Sequence, residues 1–163
     1  MSRLTPLAKG LITSVVLLGL TLFIYYTNQP PDSKLNYLMY VIYAAGIIWT
    51  LIEYHLFING SARFGEIFGQ GFRCFVVVTL IMVVFTGLFS ISHPEFAEQD
   101  AKVYKEYLDK EIKDKTPAEK DEMAAAEKKQ YTTKLVYSAI FGYLILGSVI
   151  TLVGSVLIAI RRK

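Results

Sequence analysis

The stretch SARFGEIFGQGFR, residues 61–73, carries three glycines and three charges just ahead of a long apolar run. Two folds compete for it. A glycine-rich loop would cradle a phosphate and point to an enzyme, whereas a helix would use the same glycines to approach a neighbour. A phosphate loop follows a strand and closes on Gly-Lys-Ser/Thr where a helix opens. Here WTLIEYHLFING, residues 49–60, ends an apolar helical segment, and Gly71 is followed by Phe72 and Arg73. A dinucleotide fingerprint also needs a strand in front and an acid about 20 residues on. Both are missing. At helical spacing the stretch becomes coherent: Ser61, Gly65 and Gly69 recur every four residues, the small-xxx-small pattern that brings helices close in lipid. Phe64, Phe68 and Phe72 form a parallel stripe, Asn59-Gly60 supplies a turn, and Ser61 is placed to cap a helix starting there. Arg63, Glu66 and Arg73 then fall at headgroup level, as interfacial anchors or, for Glu66, as an ion or proton site.

Working outward, the chain has 163 residues, 53% of them hydrophobic, which is too apolar for the surface of a small soluble domain. Residues 10–31, 35–52, 74–92 and 135–160 are free of charge. Each run reaches or nears the roughly 20 residues that cross a bilayer as a helix, and no segment alternates as a barrel strand would. We therefore expect an all-α membrane protein with spans at about 10–28, 35–53, 70–92 and 134–160. The first run has a basic leader, Arg3 and Lys9, like a signal peptide. It ends in FIYYTNQPP without a small-x-small cleavage site, so we expect it to be retained, with Tyr25 and Tyr26 as interfacial anchors. Cys74 is the single cysteine; it permits no internal disulfide or thiolate cluster and reads as a small packing residue.

Four spans leave both termini on one side. That side carries Arg3, Lys9, Arg63, Arg73 and the tail Arg161-Arg162-Lys163. The loop 93–134 holds nine lysines, but they are mixed with eleven acids and mostly lie away from the span ends. Positive residues close to the spans set orientation, so both termini are expected in the cytoplasm and the loop outside it.

That loop contains two helix starts. Ser92-His93-Pro94-Glu95 and Thr116-Pro117-Ala118-Glu119 each place a hydroxyl before a proline and a glutamate three residues after the hydroxyl. The spacing predicts one helix over about 93–113, with Phe96, Val103, Tyr107, Leu108 and Ile112 as its apolar stripe. A second helix starts at Pro117 and runs unbroken into the last span, because no proline or glycine intervenes before Lys134. From 117 to 160 it would be about 66 Å long. The two would pair as an extracytoplasmic helical hairpin over 93–133, between the third and fourth spans, burying the stripe against Ala118, Met123 and Ala126. Its role is a solvated cap, or a docking surface presenting Tyr104, Tyr107 and Tyr131, or the segment stays disordered.

Other chemistry is sparse. Glu53 and His55 end the second span and His93 leaves the third on the opposite side, so the two histidines cannot share a metal. No ionisable residue reads as lying deep in a span, which counts against a pump or transporter made by one copy. Asn59-Gly60-Ser61 matches a glycosylation sequon by chance if it faces the cytoplasm. Gly142, Gly147, Gly154 and Ala159 punctuate the last span, and Ala44, Ala45 and Gly46 thin the second, as helix contacts require.

The order of spans, the FGEIFGQGFR lead-in to the third and the SISHPEF exit resemble a bacterial membrane family known as domain of unknown function 4199. The positions that carry the likeness are Phe64, Gly71, Phe72, Pro94 and the tail Arg161-Arg162-Lys163, while His93 stands where that family's step favours asparagine. The resemblance implies a bacterial inner-membrane protein and brings no known activity. We expect a non-enzymatic accessory or structural subunit of a larger membrane assembly. Its contacts would be the bilayer and other membrane subunits or copies of itself, with no cofactor, metal, nucleic acid or known small-molecule substrate. The alternative is a small transporter or channel formed by an oligomer.

Overall fold

A computed structural model describes residues 4–27, 34–58, 61, 63–112 and 115–160. Its regular structure there is entirely helical: α1 (Pro6–Tyr26), α2 (Lys34–Phe57), α3 (Phe64–Ser92), α4 (Pro94–Glu111) and α5 (Pro117–Ile160). All but α4 are long and apolar enough to cross a membrane. The predicted Asn59-Gly60 turn, Arg3, Lys113 and the basic tail lie outside the described residues.

The helix starts follow local chemistry. Thr5 caps α1 by accepting from Ala8 N at 3.2 Å, with Pro6 in the first turn where its missing donor costs little. α1 therefore begins before Lys9 and draws that lysine into the helix. α3 starts three residues later than Ser61, which instead turns back and donates its hydroxyl to Ile58 O at 2.6 Å. Glu66 does the capping there, its carboxylate accepting from Arg63 N at 2.9 Å. At Thr116 the expected reciprocal box forms, with Glu119 accepting from Thr116 N at 2.8 Å and Thr116 Oγ1 accepting from Glu119 N at 3.4 Å. The box expected at Ser92 does not. Ser92 closes α3 by donating to Leu88 O, and His93 takes the cap position of α4 with no side-chain cap bond. A serine hydroxyl within a helix can bond back to the carbonyl four residues before it, and that local bond competes with capping the next helix.

The chain divides into two compact units, Met1–Met82 with Ile140–Lys163, and Val83–Ala139. In the first, α1 runs antiparallel to α2, with Thr13 against Gly46 and Thr21 Oγ1 4.0 Å from Met39 Sδ. α1 and the C-terminal part of α5 each touch both α2 and α3. Leu17, Tyr43, Ile47, Leu51, Ile67, Phe75, Val78 and Met82 form the core. Lipid is as apolar as these side chains, so packing and interhelical hydrogen bonds hold such a bundle. Tyr43 supplies one, donating to Tyr143 O at 2.9 Å. A methyl group on Gly147 would lie 2.8 Å from the Phe75 ring, so only glycine permits this approach.

In the second unit α4 lies antiparallel to the first half of α5. Lys105 pairs with Asp121, Lys120 with Asp109 at 3.1 Å, and Lys128 with Glu98 at 2.8 Å. The α5 start at Pro117 and its unbroken course match the sequence, and the apolar stripe of α4 does so in part, with Phe96 and Ile112 half-buried as expected. Leu108 is buried and Tyr104 half-buried, while Val103 is 66% and Tyr107 55% exposed. On α5, Ala124 is buried and Ala118 and Ala126 are exposed. Leu108 and Ala124 are thus the buried apolar residues of this unit, and Val103 and Tyr107 stay outside.

Candidate functional site

The most polar feature inside the first unit is a buried ion pair. Lys9 Nζ lies 2.6 Å from Glu53 Oε2, with the lysine side chain fully buried and the glutamate 32% exposed. Lys9 is the fourth residue of α1 and Glu53 the fifth from the end of α2, so both sit about one turn inside their helices. The antiparallel register that sets Thr13 on Gly46 carries Lys9 to Glu53. The carboxylate is the ammonium's polar partner among the described residues, and the Trp49 ring lies 5.4 Å from it, within cation–π range. About two turns further into α2, Gly46 O accepts from Thr50 Oγ1 at 2.9 Å and weakly from Cys74 Sγ at 3.9 Å. Cys74 is thus a packing residue in a polar layer.

The pair stands about one turn from the ends of α1 and α2, and the full burial of Lys9 is what the sequence reading missed. Lys9 reads from the sequence as part of a basic leader. The signal that places it inside is Thr5-Pro6, a helix start that puts Lys9, Thr13 and Leu17 on one face. Glu53, expected at an interface, keeps partial exposure, and His55 is half-buried two residues beyond it.

α5 contributes two further buried polar groups. Thr13, Ser14, Thr21, Thr50 and Thr79 each donate to the carbonyl four residues back. Thr151 and Ser155 are fully buried, yet their hydroxyls have no hydrogen-bond partner among the described residues. Thr151 packs where Gly71 leaves room: a methyl at Gly71 would lie 2.6 Å from Thr151 Cγ2 and 2.8 Å from Leu51 Cδ2.

The residues singled out as helix-packing separate into two groups. Gly147 and Gly154 are contact points, Gly147 against Tyr43 and Phe75, and Gly154 against Leu51 at 2.7 Å from a built methyl. Gly65, Gly69 and Gly142 have no atom of the described residues within 4 Å of such a methyl, and Ser61 lies outside α3 and is exposed. Among the described residues, the small-residue face of the opening stretch is therefore not a contact. α3 instead packs through Ile67, Gly71, Cys74, Phe75 and Val78, a stripe rotated away from Gly65 and Gly69. The glycine signal was present at Gly71, which the four-residue spacing left out. The phenylalanine stripe forms as read, with Phe64, Phe68 and Phe72 stacked at 5.9 and 6.2 Å. Arg63, Glu66 and Arg73 are all exposed. Of the tyrosines proposed for docking, Tyr107 is exposed, and Tyr104 and Tyr131 are half-buried.

No curated protein and no solved structure matches the chain. The family described as Protein of unknown function (DUF4199) matches residues 9–159, from the buried lysine to the last turn of α5, and the chain belongs to that family.

Proposed function

We propose that the protein is a non-enzymatic accessory subunit of a larger assembly in a bacterial inner membrane, with both termini cytoplasmic and the α4 segment on the other side. The observation that carries this is the outward face of α4. Leu108 is buried, while Val103 and Tyr107 stand uncovered on the most charged helix of the chain. An apolar pair standing among lysines and acids suits a partner's surface better than water, and tyrosine is enriched at such interfaces. The test is purification from the native membrane in mild detergent, comparing the wild type with Val103→Ser/Tyr107→Ser. A stoichiometric companion that the double variant loses supports the proposal; a companion-free homo-oligomer sinks it.

The second reading, a transporter or channel built by several copies, draws on a different observation. Ionisable groups held inside membrane spans commonly mark an ion or substrate path, and Lys9 with Glu53 is such a pair. A flux assay on proteoliposomes separates the two readings, because ion or solute movement abolished by Glu53→Gln favours the transporter.

A further inference from the structure

We infer that a groove between the end of α3, the start of α4 and the middle of α5 binds the phosphate headgroup of an anionic phospholipid. The groove lies wholly within the second unit and has a volume of about 380 Å³. Lys128 and Lys129 line it together with Ser90 and Thr132, and among the described residues no carboxylate does. Lys128 already holds Glu98 at 2.8 Å, but an ammonium has three protons to donate and only one is engaged there. Lys129 is exposed and makes no ion pair among the described residues. Ser90 Oγ and Thr132 Oγ1 lie 2.9 Å apart. One hydrogen bond between two hydroxyls uses one of their two protons, so the other is left for an acceptor in the groove.

The wall formed by Ile91 and Pro94 decides between a lipid and a free anion. Ile91 is exposed at the end of the charge-free run of α3, two residues before the chain turns into charged α4. The charge-free run of α5 starts at Leu135, three residues beyond Thr132. In the four-span reading, on which this inference rests, both points lie where headgroups meet acyl chains. Cationic donors beside an exposed apolar wall at that level match a phosphodiester with hydrocarbon attached.

The test uses the purified full chain in detergent, with native mass spectrometry after adding phosphatidylglycerol, phosphatidylcholine or inorganic phosphate. Phosphatidylglycerol is expected to be retained over phosphatidylcholine, and excess inorganic phosphate is expected not to displace it. Lys129→Gln/Thr132→Val should weaken retention roughly tenfold, the loss of about one charge-assisted hydrogen bond. Lys110→Gln, at the far end of α4, should leave it unchanged. Equal retention of the two lipids, an unaffected double variant, or displacement by phosphate would each overturn the lipid site, the last by making it a soluble-anion site. If the double variant loses helical content, Lys129→Gln alone carries the test, since that side chain is exposed. Release of the chain from native membranes by alkaline carbonate would instead overturn the membrane reading.

Discussion

Lys9 on α1 and Glu53 on α2 meet at 2.6 Å about one turn inside their helices, with the lysine shut off from solvent. Neither charge is affordable alone in an apolar bundle, and together they tie the first two helices in one register. Removing one partner of a buried pair leaves the other uncompensated. Glu53→Ala should therefore destabilise the bundle by about 2–3 kcal/mol, at or below the low end of the buried-pair range because the carboxylate is partly exposed. Lys9→Met/Glu53→Leu should recover most of that loss. A double-mutant cycle on reversible unfolding in micelles checks it, and additive single losses would show that the two groups are not coupled.

The glycines of α3 and α5 differ sharply in what surrounds them. Gly147→Leu should cost about 2 kcal/mol, because the new side chain drives into Tyr43 and Phe75 in a filled interior. Gly71→Val should behave alike against Thr151 and Leu51. Gly65→Leu, Gly69→Leu and Gly142→Leu should leave the fold of the single chain intact. Thermal unfolding in detergent reads this contrast. If those three leucines break an oligomer while the monomer stays folded, their open faces are contacts between chains.

The start of α5 rests on Thr116 and Glu119. Thr116→Ala removes both the acceptor for Glu119 N and the donor to its carboxylate, which should weaken the helix start by about 1 kcal/mol. Hydrogen exchange over the first turns after Pro117 should accelerate in the variant. Exchange in 135–160 should stay unchanged. Ser92→Ala, by contrast, should have no effect on α4, since Ser92 bonds back into α3.

The contact between α4 and α5 should weaken in acid. The hydrogen bond from Lys128, and then its charge, hold the Glu98 carboxyl below the usual carboxylate range. A carboxylate lowered by folding stabilises above its unfolded value and loses that contribution as pH falls through the folded value. Lys105 is held above the ordinary lysine range by its hydrogen bond to Asp121, so it contributes up to strongly alkaline pH and loses its share only above that. Amide protection over 94–111 should therefore drop on acidification below about pH 4. Glu98→Gln should start lower and respond less. A wild-type response identical to that of the variant would assign the acid effect to other groups.

Much of this protein can be read from the chain alone, for a reason specific to membranes. A helix must satisfy its own backbone in lipid, so a charge-free run of sufficient length has one structural outcome. The four long apolar helices and the unbroken course of α5 from Thr116-Pro117 follow from residue order and local capping, interactions that reach no further than four residues. What local pattern left open was rotation and pairing. The face that α4 turns to α5 is pinned by ion pairs between residues up to 30 apart, and of the predicted stripe Leu108 is buried while Val103 and Tyr107 are left exposed. Gly65 and Gly69 share the spacing of a packing face, but contact goes to Gly71, because Thr151 and Leu51 stand opposite it. Lys9 looks like a leader residue until Glu53 arrives from the antiparallel helix. Spacing names the faces a helix offers, and only the neighbouring helices decide which of them is used.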